Sequence, residues 1–277
     1  MSGDAVTSFS RRALLVGGAG MLLSSCATTT IEHAGTRAGE QVSGSFRSRA
    51  MRTTTGWTIA YPTGHGPGDR LPVMVSLHGR RGDHRTTFTS LRLDTFLDRV
   101  VKDGTAPFAI ASVDGGNHSY WHRRTDGTDA AAMVRDEFVP LLADRALDTD
   151  RLGLFGWSMG GYGALLMAGR QQLRVRAVAV SSPALFTSSG ATAQGAFDSA
   201  ADYAANDVYG HPGWLRGVPL RMDCGLQDPF YTATRSLASR LSPPPAGGFI
   251  TGGHTKGYWR QVAPAQLAYV GNLLAAG

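Results

Sequence analysis

The sequence predicts an α/β fold: one mostly parallel central sheet with helices on both faces. Three observations lead there. Short apolar runs without polar alternation recur along the chain, as strands buried on both faces require. Helix-patterned stretches separate these runs, which is the signature of parallel sheets. The 36 glycines among 277 residues exceed what an all-helical chain would carry and supply its turns.

The elements follow in order. Segments 43–50 and 56–61 read as paired strands, and 62–70 as a turn rich in Gly and Pro. Residues 72–77 form a continuous apolar run ending at His78-Gly79. Apolar positions Phe88, Leu91, Leu93, Phe96, Leu97 and Val100 predict a helix over 87–101. A strand at 108–113 ends in Asp114-Gly115-Gly116, and a helix is expected over 130–146. A strand at 151–155, a helix at 162–168 and a strand at 176–181 come next. Periodicity fades from Pro183 to Gly217, an irregular excursion over the sheet. Strands at 218–224 and 247–251 and a helix over 258–274 close the chain. No repeat and no second core is visible, so residues 43–277 are expected to be one domain.

Hydrophobic residues make up 42% and charged residues 17%, which suits a globular chain. The net charge of +6 is spread over scattered arginines without a long basic run, so no nucleic-acid stripe is expected. Cys26 and Cys224 are the only cysteines, and they show neither C-x-x-C nor zinc-ligand spacing. Cys224 lies in an apolar run and reads as a buried thiol. There is no P-loop, no H-E-x-x-H and no dinucleotide fingerprint, so no cofactor and no metal are implied.

The N-terminus reads as an address. Ser10-Arg11-Arg12 precedes an apolar run, Ala13 to Leu23, too short for a bilayer core of about 30 Å. It fits the h-region of a secretory signal over 1–25, of twin-arginine-like character. The run ends in Leu23-Ser24-Ser25-Cys26, which resembles a bacterial lipobox, with Cys26 acylated after cleavage. Residues 26–42 then form a tether, and the protein is expected to be exported and anchored on the outer side of the cytoplasmic membrane. Cleavage without lipid, giving a secreted protein, is the alternative.

The chemistry centres on Gly156-Trp157-Ser158-Met159-Gly160, between an apolar strand and a helix. G-x-S-x-G in that context is a nucleophile elbow, and its glycines permit a turn too tight for larger side chains. A serine hydroxyl needs a base, and the base needs a carboxylate to orient it. Only His211 and His254 follow Ser158. His254 is favoured, because it follows the last strand, where ligand chemistry gathers in such sheets. Asp228 is the favoured acid, because it leaves the strand before; Asp202, Asp207 and Asp223 are rivals. The amides of Met159, at the helix start, and Arg80, in the turn His78-Gly79-Arg80, can face an oxyanion. His78 reads as a residue holding this turn. His78, Gly79, Tyr120, Trp121 and Trp157 are possible pocket residues, although Tyr120-Trp121-His122 fits surface packing equally well.

With these motifs the chain resembles the α/β-hydrolase esterases of the esterase D type, which include S-formylglutathione hydrolases and mycobacterial mycolyltransferases. The likeness spans about Ser43 to Leu274. It rests on His78-Gly79, Asp114-Gly115-Gly116, the elbow, Asp228-Pro229-Phe230 and Gly253-His254 with Tyr258-Trp259. It implies an α/β-hydrolase fold with Ser158 as nucleophile, His254 as base, Asp228 as acid, and the amides of Arg80 and Met159 as oxyanion hole. It also implies a small-molecule ester as substrate and an acyl-enzyme intermediate. Acyl transfer to a sugar or lipid alcohol is the alternative, and a non-enzymatic surface protein on this scaffold is a third. The mycolyltransferases carry Asp-Gly where this chain has His78-Gly79, which points to a plain esterase.

Overall fold

The computed structural model describes residues 39–276. The expected export signal and Cys26 lie outside the described residues. The strands are β1 (Gln41–Ser48), β2 (Thr53–Ala60), β3 (Pro72–Leu77), β4 (Ala109–Val113), β5 (Asp148–Trp157), β6 (Ala177–Ser181), β7 (Leu220–Gly225) and β8 (Ala246–Ile250). They form one sheet in the order β1-β2-β4-β3-β5-β6-β7-β8. β1 and β2 pair antiparallel, as do β2 and β4, and every later pair is parallel. β1 takes in residues 41 and 42, so the sheet begins inside the segment read as tether.

Burial follows from position. Every residue of β3, β4 and β6 is buried, because helices cover both faces of these parallel strands. Alternation within them sorts the core in two. Val73, Val75, Ala111, Val113 and Leu154 belong to one face. Met74, Ile110, Phe155 and Ala179 belong to the other.

The helices are α1 (Thr86–Thr89), α2 (Leu93–Lys102), α3 (Ala130–Met133), α4 (Val139–Ala143), α5 (Met159–Gly169), α6 (Ala200–Ala205), α7 (Tyr231–Ser239) and α8 (Lys256–Ala275). α5 is buried along its whole length, which matches its apolar composition all round. Three features depart from the sequence reading. The helix expected over 87–101 is broken at Arg92, whose left-handed φ of 60° separates α1 from α2. The helix expected over 130–146 opens with Asp129 accepting from the Ala132 amide at 2.8 Å. It then widens into a π turn over Val134–Phe138, where the Val139 amide reaches back to the Val134 carbonyl, just before Pro140, which has no N–H to give. α7 had no counterpart in the sequence reading.

The excursion from Pro183 to Gly217 carries α6 and two short 3-10 turns, and it is anchored rather than loose. Phe186, Ala196, Tyr203 and Val208 are buried in it, and the Tyr203 hydroxyl donates to the Phe186 carbonyl at 2.9 Å. Cys224 is fully buried in β7, and burial pushes its thiol up to about 12, so it stays protonated.

Two glycines let the central elements cross. A Cβ on Gly156 would run into the Gly160 carbonyl, and a Cβ on Gly160 into the Leu77 carbonyl at the end of β3. These obstacles are backbone and cannot swing aside. Gly160→Ala is therefore expected to lower stability by about 1–3 kcal/mol in denaturant unfolding. Gly190→Ala, where an added methyl meets open space, serves as the near-neutral control.

Candidate active site

Ser158 occupies the turn between β5 and α5 with φ 54° and ψ −121°, a backbone region that side chains rarely enter. Hydrogen bonds hold it there. Its amide donates to the Ser181 carbonyl of β6, and its own carbonyl accepts from the Tyr162 and Ala184 amides, each at 3.0 Å. The hydroxyl therefore stands clear at the carboxyl end of the sheet.

His254 follows β8 and immediately precedes Thr255, which caps α8 by accepting from the Tyr258 amide. Its ring lies edge-on to Trp259 at 5.0 Å and to Phe230 at 5.3 Å. Asp228 sits in the turn leaving β7, its amide donating to the Gly225 carbonyl at 3.1 Å. The two loops are stitched together: the Gln227 amide donates to the Gly252 carbonyl at 2.9 Å, and the Gln227 side chain accepts from the Gly252 amide at 2.8 Å.

The three side chains form one hydrogen-bonded row. His254 Nε2 is 2.8 Å from Ser158 Oγ, and His254 Nδ1 is 2.9 Å from Asp228 Oδ2. The Asp228 carboxylate is buried while His254 is about a quarter exposed. Burial alone would push the Asp228 carboxyl up. Hydrogen bonds from His254, the Phe230 amide and the Ser182 hydroxyl outweigh it and hold the carboxyl below its ordinary value. An ionised Asp228 only accepts, so Nδ1 carries the proton and Nε2 is left to accept from the Ser158 hydroxyl.

The turn after β3 lies against this row. A Cβ at Gly79 would crowd the Trp157 indole and touch Ser158 Cβ at 3.4 Å. His78 secures the turn from behind. Its Nε2 accepts from the Gly115 amide at 2.9 Å, so Nδ1 donates to the Gly79 carbonyl at 2.8 Å. Burial drives the His78 pKa down, which keeps the ring neutral. Trp121 donates to the His78 carbonyl at 3.2 Å. Both were expected as possible pocket walls; both are fully buried behind the turn and only support it. Gly79, Tyr120 and Trp157 do line the cavity beside Ser158, together with Arg80, Phe230, His254 and Trp259. Its volume is about 480 Å³. Met159 is the first residue of α5, and Arg80 follows Gly79 at the cavity wall.

The rival residues have other partners. His211 stacks on Trp214 at 4.4 Å and bonds the Asp207 carbonyl at 2.8 Å. Asp207 accepts from the Gly210 amide at 2.8 Å. Asp223 pairs with Arg221 and Gln266, each at 2.8 Å. Asp202 lies 3.6 Å from the buried His122, which stacks on Phe197. Sequence reasoning missed Ser182, Phe230 and Trp259 as parts of the site. Trp259 Nε1 donates to Ser182 Oγ at 3.1 Å, and Ser182 supports Asp228 in turn. The available signal was Ser182's place just past the end of a parallel strand.

A serine hydroxyl bonded to a histidine that a buried carboxylate orients, beside one cavity, is an arrangement suited to acyl transfer. Comparison with known proteins agrees. A family described as "Putative esterase" matches residues 48–268, well over half of the chain. No curated protein matches the sequence. Among solved structures, a ferulic acid esterase superposes with a TM-score of 0.75 at 20% identity, covering 86% of this chain and 99% of its own. An S-formylglutathione hydrolase from Agrobacterium tumefaciens gives 0.71 at 15% identity, with 86% and 96% covered. The fluorophosphonate-binding serine hydrolase FphF from Staphylococcus aureus gives 0.69 at 18% identity, with 85% and 99% covered. The chain belongs to this esterase family, and it is an esterase with the α/β-hydrolase fold.

Proposed function

We propose that the protein hydrolyses small carboxylic esters through an acyl-enzyme on Ser158. The observation that carries this reading is the continuous row Ser158–His254–Asp228, with contacts of 2.8 and 2.9 Å. Ser158 Oγ attacks the ester carbonyl as His254 Nε2 takes its proton. The new C–O bond leaves a tetrahedral oxyanion that the Met159 and Arg80 amides face, each worth about 3 kcal/mol in the transition state. The C–O bond to the alcohol breaks, and His254 returns the proton to the departing oxygen. Water repeats the sequence: it loses a proton to His254, adds to the acyl carbon and releases the acid as Ser158 regains its hydrogen. Asp228 stays ionised throughout and stabilises the imidazolium.

Hydrolysis stands ahead of acyl transfer to a sugar or lipid alcohol, because the oxyanion turn carries His78-Gly79 rather than Asp-Gly. Product analysis with an added alcohol acceptor separates the two: esterified acceptor in place of free acid would favour transfer.

Ser158→Ala is expected to abolish turnover of a para-nitrophenyl ester while leaving thermal unfolding close to wild type, and a fluorophosphonate probe is expected to label Ser158 in the wild type. Residual turnover in that variant would overturn the reading. Asp228→Asn is expected to reduce kcat by about four orders of magnitude, because the wrong imidazole tautomer then faces Ser158. Ser182→Ala removes one donor from the Asp228 carboxylate. It should lower kcat about tenfold with little change in KM, in line with the worth of a hydrogen bond to a charged group.

We further infer that the chain is exported and held at the membrane through lipid on Cys26. The support is the sequence Leu23-Ser24-Ser25-Cys26 after an apolar run preceded by paired arginines. Cys26→Ala expressed in a lipoprotein-processing bacterium should move the protein from the membrane fraction to the soluble one. An unmodified N-terminal peptide by mass spectrometry, with both forms soluble, would support secretion without lipid.

A further inference from the structure

The cavity beside Ser158 is chemically lopsided. On one side, the rings of Tyr120 and Phe230 line it, and both pack on the buried Phe186, with ring centroids 5.8 Å apart for Tyr120–Phe186 and 5.7 Å for Phe186–Phe230. The lining also includes Arg80, Arg81 and Lys256, all exposed, with the polar residues Thr86 and Ser90. No Asp or Glu lines the cavity. Among the described residues, no carboxylate pairs with any of these three cations.

The nearest acid in sequence is already engaged. Asp83 Oδ1 accepts from the Thr86 hydroxyl at 2.8 Å and from the Arg85 and Thr86 amides at 3.0 and 2.9 Å. It faces a neighbouring depression with Asp114 rather than the cavity. Arg81 is held in a left-handed conformation, φ 62°, by its amide bond to the Asn117 carbonyl. Lys256 is the first residue of α8, and that helix is tied to α1 because Arg260 Nε, in its next turn, donates to the Ser90 carbonyl at 2.8 Å. Arg81, in the turn that leads towards α1, and Lys256, at the start of the helix tied to α1, line the same cavity as the Ser158 hydroxyl. Arg80 is close enough that its guanidinium opposes the upward push of burial on the Tyr120 hydroxyl.

We propose that the ester this enzyme takes carries an anionic group, a carboxylate or phosphate, which docks between Arg81, Lys256 and Arg80 while its apolar part lies on the rings of Tyr120 and Phe230. This rests on the hydrolytic reading above and names its substrate class. An unpaired cationic rim attracts anions from a distance and orients them on arrival. It gives an uncharged ester no comparable contact.

The test compares three esters of similar length: para-nitrophenyl butyrate, which is neutral, the hydrogen succinate and the phosphonopropionate. The wild type should favour the anionic esters in kcat/KM by about tenfold, the size that two exposed ion pairs together supply. That preference should fade in about 0.5 M salt, where charges are screened within a few ångströms. Arg81→Gln with Lys256→Gln should remove it while leaving the butyrate rate within about twofold. A stronger preference for the phosphonate assigns the rim to a phosphate-like dianion, and a stronger preference for the succinate to a carboxylate. Equal rates on all three esters in the wild type, or a preference that survives both substitutions, would overturn the proposal. Binding of the amide analogues to Ser158→Ala, read by calorimetry, checks the rim without turnover. Charge-dependent binding without any ester turnover in the wild type would sink the hydrolytic reading alone, and binding indifferent to charge would sink this one.

Discussion

The site depends on one strained residue. At φ 54°, Ser158 occupies a backbone region that costs about 1–3 kcal/mol and persists only where its surroundings overdetermine it. Here they do. The Ser181 carbonyl holds the Ser158 amide, while the Tyr162 and Ala184 amides hold its carbonyl. Gly156 and Gly160 let β5, α5 and the end of β3 approach so closely that any side chain would strike backbone. Relaxing this turn into an ordinary conformation would swing the hydroxyl away from His254 Nε2 and undo their 2.8 Å contact.

The second constraint is electrostatic. A buried carboxylate that orients an imidazole by accepting from it has to remain ionised despite its burial. β7 and the turn after it carry two buried aspartates that resolve this tension oppositely. Asp223 is pushed up by burial despite its bonds from Arg221 and Gln266. At Asp228, burial is outweighed by donors from His254, the Phe230 amide and Ser182, and the carboxyl moves down. The Trp259 indole extends that chain by donating to Ser182. Both carboxylates accept hydrogen bonds: burial prevails over them at Asp223, which braces the sheet, and they prevail over burial at Asp228, which faces the histidine.

Much of this was legible in the sequence, and the rest was hidden for definite reasons. The strands β3, β4 and β6 could be read because burial on both faces writes them as unbroken apolar runs. Ser158, Asp228 and His254 could be placed because each follows a strand at the end where loops converge. α7 escaped because it buries only Ala233, Thr234 and Leu237, too little apolar surface to mark a face. The break at Arg92 carried no glycine to announce its left-handed backbone. His78 and Trp121 were near the site in sequence, but which side of the turn after β3 they occupy is a tertiary fact. Local spacing could not distinguish a wall of the cavity from the brace behind it. Ser182 joined the site only through packing between distant segments.

Helix α8 ties these constraints together. Midway along it, the buried side chain of Gln266 accepts from the Ser181 hydroxyl at 2.9 Å and donates to the Val180 carbonyl at 3.1 Å and to Asp223 at 2.8 Å. A buried amide with all these partners fixes the register of the helix on β6 and β7, because sliding by one turn would strand Gln266 without hydrogen bonds in the core and take one donor from Asp223. With the register set, the helix start is set too. Trp259 is delivered to Ser182, Thr255 to its cap beside His254, and Lys256 to the cavity rim. A polar contact deep under the sheet thereby governs where His254 and the Lys256 charge stand relative to Ser158.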